Sequence, residues 1–274
     1  MNIRPIRYSI VVPVYNEQEN VKRLLRNIHD AMDRQNDVYE IICVDDGSTD
    51  DSLRILKDAC RHDRCLSYIT FDRNYGQTAA LDAGIHQAQG ELVIIMDADL
   101  QVDANDIPTL LDELGNFDAV VGYRQKRNDS LNKRISSYIA NKVRNYLSDE
   151  KIRDVGCPLK VFKAHAIKSI KLYEGMHRFF PTLLKIEGYT VKEVPINHYP
   201  RQFGKSKYNV RNRVFRAFKD LLAVRWMKQR AMQYTINGRS SCEKETTTNF
   251  HCYRDHSLRF PDHEFGAIYK DAAV

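Results

Sequence analysis

Two aspartates two positions apart are the first residues in this chain whose spacing suggests chemistry. Asp97 and Asp99, with Ala98 between them, follow the apolar run Glu91–Met96, and Gln101 stands two positions further on. Oxygen ligands of this kind suit Mg²⁺ or Mn²⁺, ions that commonly share their coordination sphere with substrate phosphates. The pattern predicts a site for a divalent cation and a diphosphate. The alternative interpretation is structural: Asp99 caps a turn and Asp97 is solvated.

A second acidic cluster, Asp45–Asp50, follows another apolar run that ends at Val44. A carboxylate such as Asp46 can accept hydrogen bonds from a nucleobase edge or from ribose hydroxyls. Gly47 permits a tight turn, and the start of the helix expected next offers backbone N–H groups. A plain turn with a helix cap explains the same residues. Glycine-rich dinucleotide and Walker-type motifs do not occur, which disfavours a dinucleotide cofactor and ATP or GTP hydrolysis.

Basic residues in the second half of the chain are candidates for contacts with phosphate. Arg124 follows an apolar run, Arg178 stands beside His177, and a basic loop sets Arg201 and Lys207 around a glycine. Arginine offers bidentate donors to a diphosphate, and lysine offers a point charge. Such a loop can also close over a substrate as a lid. A solvated basic surface is the alternative for the loop.

These candidates need elements to position them, and apolar runs that alternate with amphipathic patterns predict such elements. The predicted strands are Tyr8–Val14, Tyr39–Val44, Leu66–Phe71, Glu91–Met96 and Phe117–Val121, and the predicted helices are Glu19–Asp33, Asp50–Cys60, Thr78–Gln89 and Asp103–Leu114. The alternation predicts an α/β fold with a mainly parallel sheet covered by helices on both faces. Ligands of such sheets bind beyond the carboxyl ends of the strands, so Pro13–Glu17, Asp45–Asp50 and Asp97–Asp99 should converge there.

The pattern changes after residue 122. Cys157–Phe162 and Val191–His198 predict further strands at the sheet edge, and Leu131–Leu147 and Tyr208–Arg230 predict helices. We expect one domain over residues 1–230, in which 1–121 handle the nucleotide and the metal and 122–230 form a basic half. The polar tail, 231–274, shows few periodic apolar positions and does not predict regular structure.

Charge is divided as unevenly as the motifs. The net charge is +6 for the whole chain, −11 for residues 1–120 and +18 for residues 121–234. This asymmetry favours metal and nucleotide binding in the first part and an anionic partner for the second, although uneven surface charge is an alternative. Six cysteines without a Cys-x-x-Cys pair argue against a structural zinc site and a disulfide scaffold.

The chain shows neither a signal peptide nor an apolar stretch of the roughly 20 residues that span a bilayer. We therefore expect a cytoplasmic protein, attached at most to the surface of the membrane. The segment Tyr208–Arg230 carries eight cations from Lys207 onward together with aromatic residues. A basic amphipathic helix of this kind can lie on an anionic bilayer. Packing into the core or formation of a homo-oligomer are the alternatives.

Together these motifs resemble the family 2 glycosyltransferases, which have the glycosyltransferase A-type, Rossmann-like fold. The nearest branch includes dolichol-phosphate mannose synthase and bacterial polyprenyl-phosphate glycosyltransferases, and the resemblance runs from Ser9 to Trp226. It implies that the nucleoside is held by Pro13, Tyr15, Glu17 and Asp46, next to Val44 and Ala98. It also implies that the metal and the diphosphate are held by Asp97, Asp99 and Gln101. The basic residues that it implies for the diphosphate or an acceptor phosphate are Arg124, Arg201 and Lys207. Catalysis is expected from Asp99, Gln101, Arg201 and Lys207.

The resemblance implies a metal-dependent, inverting transfer from a UDP- or GDP-sugar to a polyprenyl phosphate. Departure of the diphosphate builds negative charge, which a divalent cation and the basic loop can stabilise. A sugar-hydroxyl acceptor needs a general base, whereas a lipid phosphate is already anionic. Many hydroxyl-using relatives carry a Glu-Asp pair where this chain reads Gly175–Arg178, and Asp154 is the nearby carboxylate that remains.

Three other functions fit the sequence less well. A soluble glycosyltransferase that extends a cell-surface polysaccharide would use a sugar hydroxyl as acceptor. A nucleotidyltransferase would need a loop rich in glycine and basic residues after the first strand, and Pro13–Glu17 lacks it. A nucleic-acid-binding protein is expected least, because no interleaved basic and aromatic platform is visible. Several members of the resembling branch continue into transmembrane helices after the segment that matches Trp226, whereas a polar tail follows here.

Overall fold

The computed structural model describes residues 4–124, 152–200 and 210–232 of the 274-residue chain, with the backbone alone for residues 210–218. The predicted helix Leu131–Leu147, the basic residues Arg201 and Lys207 and all but the start of the predicted tail lie outside these ranges.

Seven strands form one sheet with the order β3-β2-β1-β4-β6-β5-β7. Their bounds are β1 (Tyr8–Val14), β2 (Tyr39–Asp45), β3 (Leu66–Thr70), β4 (Leu92–Ile95), β5 (Ala119–Arg124), β6 (Lys160–Lys163) and β7 (Val191–Ile196). Every pair is parallel except the two pairs that β6 makes with β4 and β5. The prediction of an α/β fold with a mainly parallel sheet is confirmed.

Seven α-helices occur in the described ranges. They are α1 (Val21–Met32), α2 (Ser52–His62), α3 (Gln77–Gln87), α4 (Ile107–Asp112), α5 (Ala164–Lys168), α6 (Phe180–Ile186) and α7 (Val210–Arg230), with 3-10 turns at Asp33–Gln35, Ala104–Asp106 and Met176–Phe179. None of the helices in these ranges is both long and apolar enough to cross a membrane.

Alternate residues of the central strands enter two hydrophobic cores, one on each face of the sheet. In β1, Ile10 and Val12 face the core that α1 covers, whereas Val11 faces the core beneath α3. All three side chains are fully buried, as expected for strands covered on both faces. The expectation is wrong for β3, where Tyr68 is 36% exposed. In the part of the chain that the structure describes, this strand pairs only with β2 and forms the edge of the sheet.

Three predicted elements differ from those observed in kind or by more than two residues at one end. The helix predicted over Asp103–Leu114 is a 3-10 turn followed by the six-residue helix α4, which has a proline in its first turn. The strand predicted over Cys157–Phe162 begins only at Lys160. Pro158 cannot donate a backbone hydrogen bond, which accounts for the late start. The strand predicted over Phe117–Val121 is shifted toward Arg124.

Candidate functional site

The carboxyl ends of β1, β2 and β4 open onto a cleft of about 580 Å³. Most of the predicted site residues line it, namely Pro13, Tyr15, Glu17, Asp46, Asp97, Ala98, Asp99, Gln101 and Arg124. Val44 does not, because it is fully buried in β2 beneath α3. Arg201 and Lys207 lie outside the described residues. The structure thus brings together motifs that are separated by more than a hundred residues in the chain.

The Asp97–Gln101 loop presents two carboxylates with different partners. Asp97 Oδ1 accepts a hydrogen bond of 2.7 Å from Gln77 Nε2, at the start of α3. Asp99 is only 8% exposed, and its Oδ1 lies 3.2 Å from the backbone N of Gln101. Leu100, which lies between Asp99 and Gln101, has a positive φ of 56°, a conformation that L-residues seldom adopt. The turn predicted as the alternative therefore exists, and it holds both carboxylates at the cleft.

The donor atoms of this loop fit a hard divalent cation that also binds a substrate. Within the described ranges, no group of three or more His, Cys, Asp or Glu side chains is arranged to hold a metal. Asp97 and Asp99 can supply two oxygen ligands, and Gln101 can supply a third. Mg²⁺ and Mn²⁺ sites in nucleotide-binding enzymes are commonly completed by phosphate oxygens and water. An ion at this loop would accordingly depend on the bound diphosphate.

Asp46 holds the loop that leads into α3. Its carboxylate accepts hydrogen bonds from the Asn74 side chain (2.8 Å), the Tyr75 backbone N (2.7 Å) and the Gly76 backbone N (2.9 Å). Burial raises the pKa of Asp46, although these N–H donors oppose the shift. Gly47, with a φ of 67°, allows this loop to approach closely, since a Cβ there would lie 2.3 Å from a backbone carbon of the loop. A contact between Asp46 and a nucleoside stays a prediction.

Arg124 and Asp154 form a bidentate ion pair at the opposite wall of the cleft. Arg124 Nε lies 2.6 Å from Asp154 Oδ2, and Nη2 lies 2.8 Å from Oδ1. Both side chains are largely buried, at 18% and 8% exposure. Paired hydrogen bonds of this kind fix the orientation of both groups. Asp154, the nearby carboxylate that remained from the sequence, is thus paired with an arginine.

Lys160 is a buried cation that the sequence analysis missed. It is 5% exposed, lines the cleft and donates a hydrogen bond to the carbonyl oxygen of Cys157. Burial lowers its pKa, while nearby Asp97 and Asp154 oppose the shift. A lysine inside the apolar stretch that ends at Phe162 was the available signal, because charged residues are rarely buried without a function or a partner.

His177 and Arg178 line the same wall from a 3-10 turn. The hydroxyl oxygen of Thr78, in the first turn of α3, lies 2.7 Å from the ring Nδ1 of His177. The same hydroxyl oxygen accepts a hydrogen bond of 2.9 Å from the backbone N of Gly175. Sequence reasoning named both basic residues, but it could not show that the histidine is tied to α3.

The end of β7 is fastened to the carboxylate loop. The backbone N of Tyr199 donates a hydrogen bond of 2.9 Å to the carbonyl oxygen of Gln101. His198, the residue before it, lines the cleft. The chain then continues into residues 201–209, beyond the described ranges.

Comparisons with known proteins show the family of the chain. The sequence model described as "Glycosyl transferase family 2" matches residues 9–171. A dodecaprenyl-phosphate galacturonate synthase from Rhizobium johnstonii is 39% identical over 228 residues, which cover 81% of this chain and 67% of that protein.

Solved structures show the same fold. Glucosyl-3-phosphoglycerate synthase from Mycobacterium tuberculosis, in complex with Mn²⁺, UDP and glucosyl-3-phosphoglycerate, matches with a TM-score of 0.62 and 15% identity, covering 81% of this chain and 80% of that one. A mannosyltransferase from Pyrobaculum calidifontis, in complex with GDP-Man and Mn²⁺, matches with a TM-score of 0.57 and 20% identity, covering 84% and 71%. At these identities the likeness concerns the fold alone.

Proposed function

Because the chain belongs to glycosyl transferase family 2 and is a glycosyltransferase, we propose that it transfers a sugar from a nucleotide-diphosphate sugar to a polyprenyl phosphate. The observation that carries this proposal is the division of the cleft. Carboxylates from the first half of the chain face cations from the second, and the candidate base Asp154 is bound to Arg124. Such a cleft suits a diphosphate donor with a metal on one side and an anionic acceptor on the other.

The donor half of the proposal rests on the Asp97–Gln101 loop. A divalent cation, Mg²⁺ or Mn²⁺, when bound there would neutralise charge on the departing diphosphate. Pro13, Tyr15 and Glu17, which follow β1, are proposed to hold the nucleoside. UDP is the nucleotide to test first, and GDP the second. One of the two structural neighbours binds UDP with Mn²⁺ and the other binds GDP-Man with Mn²⁺.

The acceptor half of the proposal follows from the state of Asp154. A sugar hydroxyl must lose its proton during the transfer, so it needs a general base. A phosphate monoester is anionic at neutral pH and can attack the anomeric carbon without one. Its oxygen forms the new bond to that carbon as the bond to the diphosphate breaks, which inverts the configuration. The relative from R. johnstonii is named for a dodecaprenyl-phosphate product, which supports a polyprenyl-phosphate acceptor.

The same relative suggests which donor to assay first. Its name specifies galacturonate, so a nucleotide-linked galacturonic acid is the first candidate donor for this chain. Neutral hexoses linked to UDP or GDP are the comparison donors.

Calorimetry of nucleotide binding tests the donor site directly. We expect UDP or GDP to bind only when Mn²⁺ or Mg²⁺ is present. We expect the Asp99→Ala variant to lose this metal-dependent binding. Asp82→Asn is a matched control, because Asp82 lies on α3 with its side chain 45% exposed and outside the cleft. If neither nucleotide binds with either metal, the donor site is not where we place it.

Turnover then tests the acceptor. Radiolabelled sugar should pass into the organic phase when farnesyl phosphate or a longer polyprenyl phosphate is supplied. Transfer to an oligosaccharide hydroxyl instead would favour a polysaccharide-extending enzyme.

We also propose that α7 contacts an anionic membrane surface. Leu221 and Val224 are buried against the core, whereas Leu222 and Trp226, one turn apart, are 43% and 62% exposed. Lys219 and Arg230 are exposed on the same side of the helix as Trp226. An aromatic side chain flanked by cations suits the boundary between headgroups and acyl chains. This contact would bring the cleft to a lipid acceptor.

A further inference from the structure

Two consecutive residues at the start of α3 connect the walls of the cleft. Gln77 donates a hydrogen bond of 2.7 Å to Asp97, the first carboxylate of the proposed metal loop. Thr78, the next residue, is hydrogen-bonded to His177 on the basic wall. Since adjacent Cα atoms are about 3.8 Å apart, the first turn of α3 sets the position of His177 relative to Asp97.

We propose that His177 and Arg178 form the subsite for the acceptor phosphate, and that Thr78 positions His177 within it. This inference rests on the proposed function and specifies where its acceptor is bound. Thr78 itself is buried and does not line the cleft, so it acts through His177.

The hydroxyl of Thr78 is hydrogen-bonded twice to the segment that carries His177. The Thr78 hydroxyl oxygen accepts from the Gly175 backbone N, and its single proton is free to be donated. His177 Nδ1 lies 2.7 Å from this hydroxyl, and the tautomer of the ring decides which of the two atoms donates. In the tautomer whose Nδ1 accepts, Nε2 carries an N–H that can donate to a ligand.

An imidazole N–H donor next to an arginine is suited to binding a phosphate. Arg178 can contact two phosphate oxygens at once, and His177 Nε2–H can contact a third. A phosphate acceptor has no hydroxyl proton to lose in the transfer, so such a subsite needs no base. The phosphate oxygen forms its bond to the anomeric carbon, and the electron pair of the broken bond leaves with the diphosphate.

The turn that carries this pair is rigidly supported. Met176 and Phe179, which flank His177 and Arg178 within this turn, are buried in the core. Gly175 has a φ of 84°, and a Cβ at this position would lie 2.7 Å from Asp220 Oδ2 of α7. The backbone here therefore requires glycine, and α7 packs close behind the turn. Fixed donors lose little freedom when the phosphate binds, which favours affinity.

Separate kinetic constants for donor and acceptor test the inference in the full chain. Thr78→Val removes the hydroxyl but keeps the shape, and Thr78→Ser keeps the hydroxyl. We expect Thr78→Val to raise the KM for farnesyl phosphate about tenfold, the loss of roughly one hydrogen bond. Thr78→Ser should restore the wild-type value, and the affinity for UDP with Mn²⁺ should change less than about twofold in both variants.

Arg178→Lys gives the larger effect expected of a residue that touches the phosphate. It keeps the charge but loses the bidentate geometry, so the acceptor KM should rise about 30-fold or more with unchanged nucleotide affinity. Unchanged nucleotide binding also shows that the variants fold.

The outcomes separate the inference from the proposed function. If wild-type protein transfers sugar to farnesyl phosphate but the Thr78→Val and Arg178→Lys variants keep its KM, the subsite is wrong and the function stands. If these variants weaken only donors that carry a sugar carboxylate, the anionic group at His177 belongs to the donor and the acceptor assignment fails. If wild-type protein neither binds farnesyl phosphate in the presence of UDP and Mn²⁺ nor transfers sugar to it from a nucleotide-diphosphate sugar, both proposals are overturned.

Discussion

The two halves of the chain reach the same cleft by different structural means. In the first half, carboxylates stand on loops directly after β1, β2 and β4, which are parallel strands in the middle of the sheet. In the second half, cations come from the antiparallel strand β6, the end of β5 and a 3-10 turn. The carboxylates are placed by the general geometry of parallel sheets. The cations are placed by individual partners: Asp154 for Arg124, the Cys157 carbonyl for Lys160 and Thr78 for His177.

This difference implies that the two walls respond differently to substitution. Substitution of a carboxylate on the acidic wall should remove most of the catalytic activity. A partner on the basic wall should be replaceable with partial loss, because the cation it positions is still present. The following substitutions test this contrast, from the largest expected effect to the smallest.

Asp97→Asn should have the largest effect, a fall of about 10³-fold in kcat/KM. The amide keeps the hydrogen bond to Gln77 in one rotamer, but it loses the charge that would bind a divalent cation and so the stabilisation of the leaving diphosphate. Steady-state kinetics over a range of Mn²⁺ concentrations measure it. A variant that regains wild-type rates at high Mn²⁺ would show that Asp97 contributes affinity and not chemistry.

Asp154→Asn should lower kcat/KM only about tenfold, because it removes the partner of Arg124 and not a base. Breaking a buried ion pair should also cost roughly 3 kcal/mol in the free energy of unfolding. The pH–rate profile is the deciding measurement. We expect its acidic limb to be unchanged. A fall of about 10³-fold together with loss of that limb would identify Asp154 as a general base and favour a hydroxyl acceptor.

How much of the molecule the sequence predicts follows the same division. The runs Tyr8–Val14 and Tyr39–Val44 were predicted to within one residue, because continuous apolar strands covered on both faces have a strong local pattern. The convergence of Tyr15, Asp46 and Asp97 followed from strand order and direction alone. The family resemblance reached the same residues, and the family itself is confirmed.

The basic wall could not be predicted as far. The elements that carry it are short, four residues each for β6 and the 3-10 turn before α6, so too few residues repeat for a periodic pattern to be recognised. The contact between Thr78 and His177 joins residues 99 positions apart. A local pattern cannot specify such a pairing, which depends on how α3 and the 3-10 turn pack on one face of the sheet. The same limit explains why Lys160 was missed and why Asp154 was considered as a base.

Trp226→Ser tests whether the basic half also provides the membrane contact, and its effect should be moderate. Removal of one large apolar side chain from the exposed face of α7 should weaken binding to anionic vesicles about tenfold, equivalent to about 1.4 kcal/mol. Co-sedimentation with vesicles that contain phosphatidylglycerol measures it. Trp226→Phe is the control that keeps an aromatic side chain. Unchanged vesicle binding combined with a lower molecular mass in ultracentrifugation would show that this face mediates self-association.

Asp118→Asn should have the smallest effect, since it lies at the end of β5 opposite to Arg124. Hydrogen bonds from the Thr190 backbone N (2.9 Å) and hydroxyl (2.8 Å), helped by Lys163, lower the pKa of Asp118 to about 2. A depressed pKa contributes stability above the ordinary aspartate pKa, and this stability is lost as the pH falls toward 2. The free energy of unfolding of the variant at pH 7 should therefore be about 1 kcal/mol lower than that of the wild type, after allowance for solvent screening.

The stability difference between wild type and Asp118→Asn should shrink between pH 4 and pH 2, which denaturant titrations at several pH values can measure. Catalytic constants at pH 7 should not change, because Asp118 is outside the cleft. The aspartates at the two ends of β5 would then have different roles. Asp154 at one end holds a cation for the cleft, and Asp118 at the other end holds β5, β6 and β7 together. A change in kcat from Asp118→Asn would mean that the basic wall depends on the whole strand and not only on its local partners.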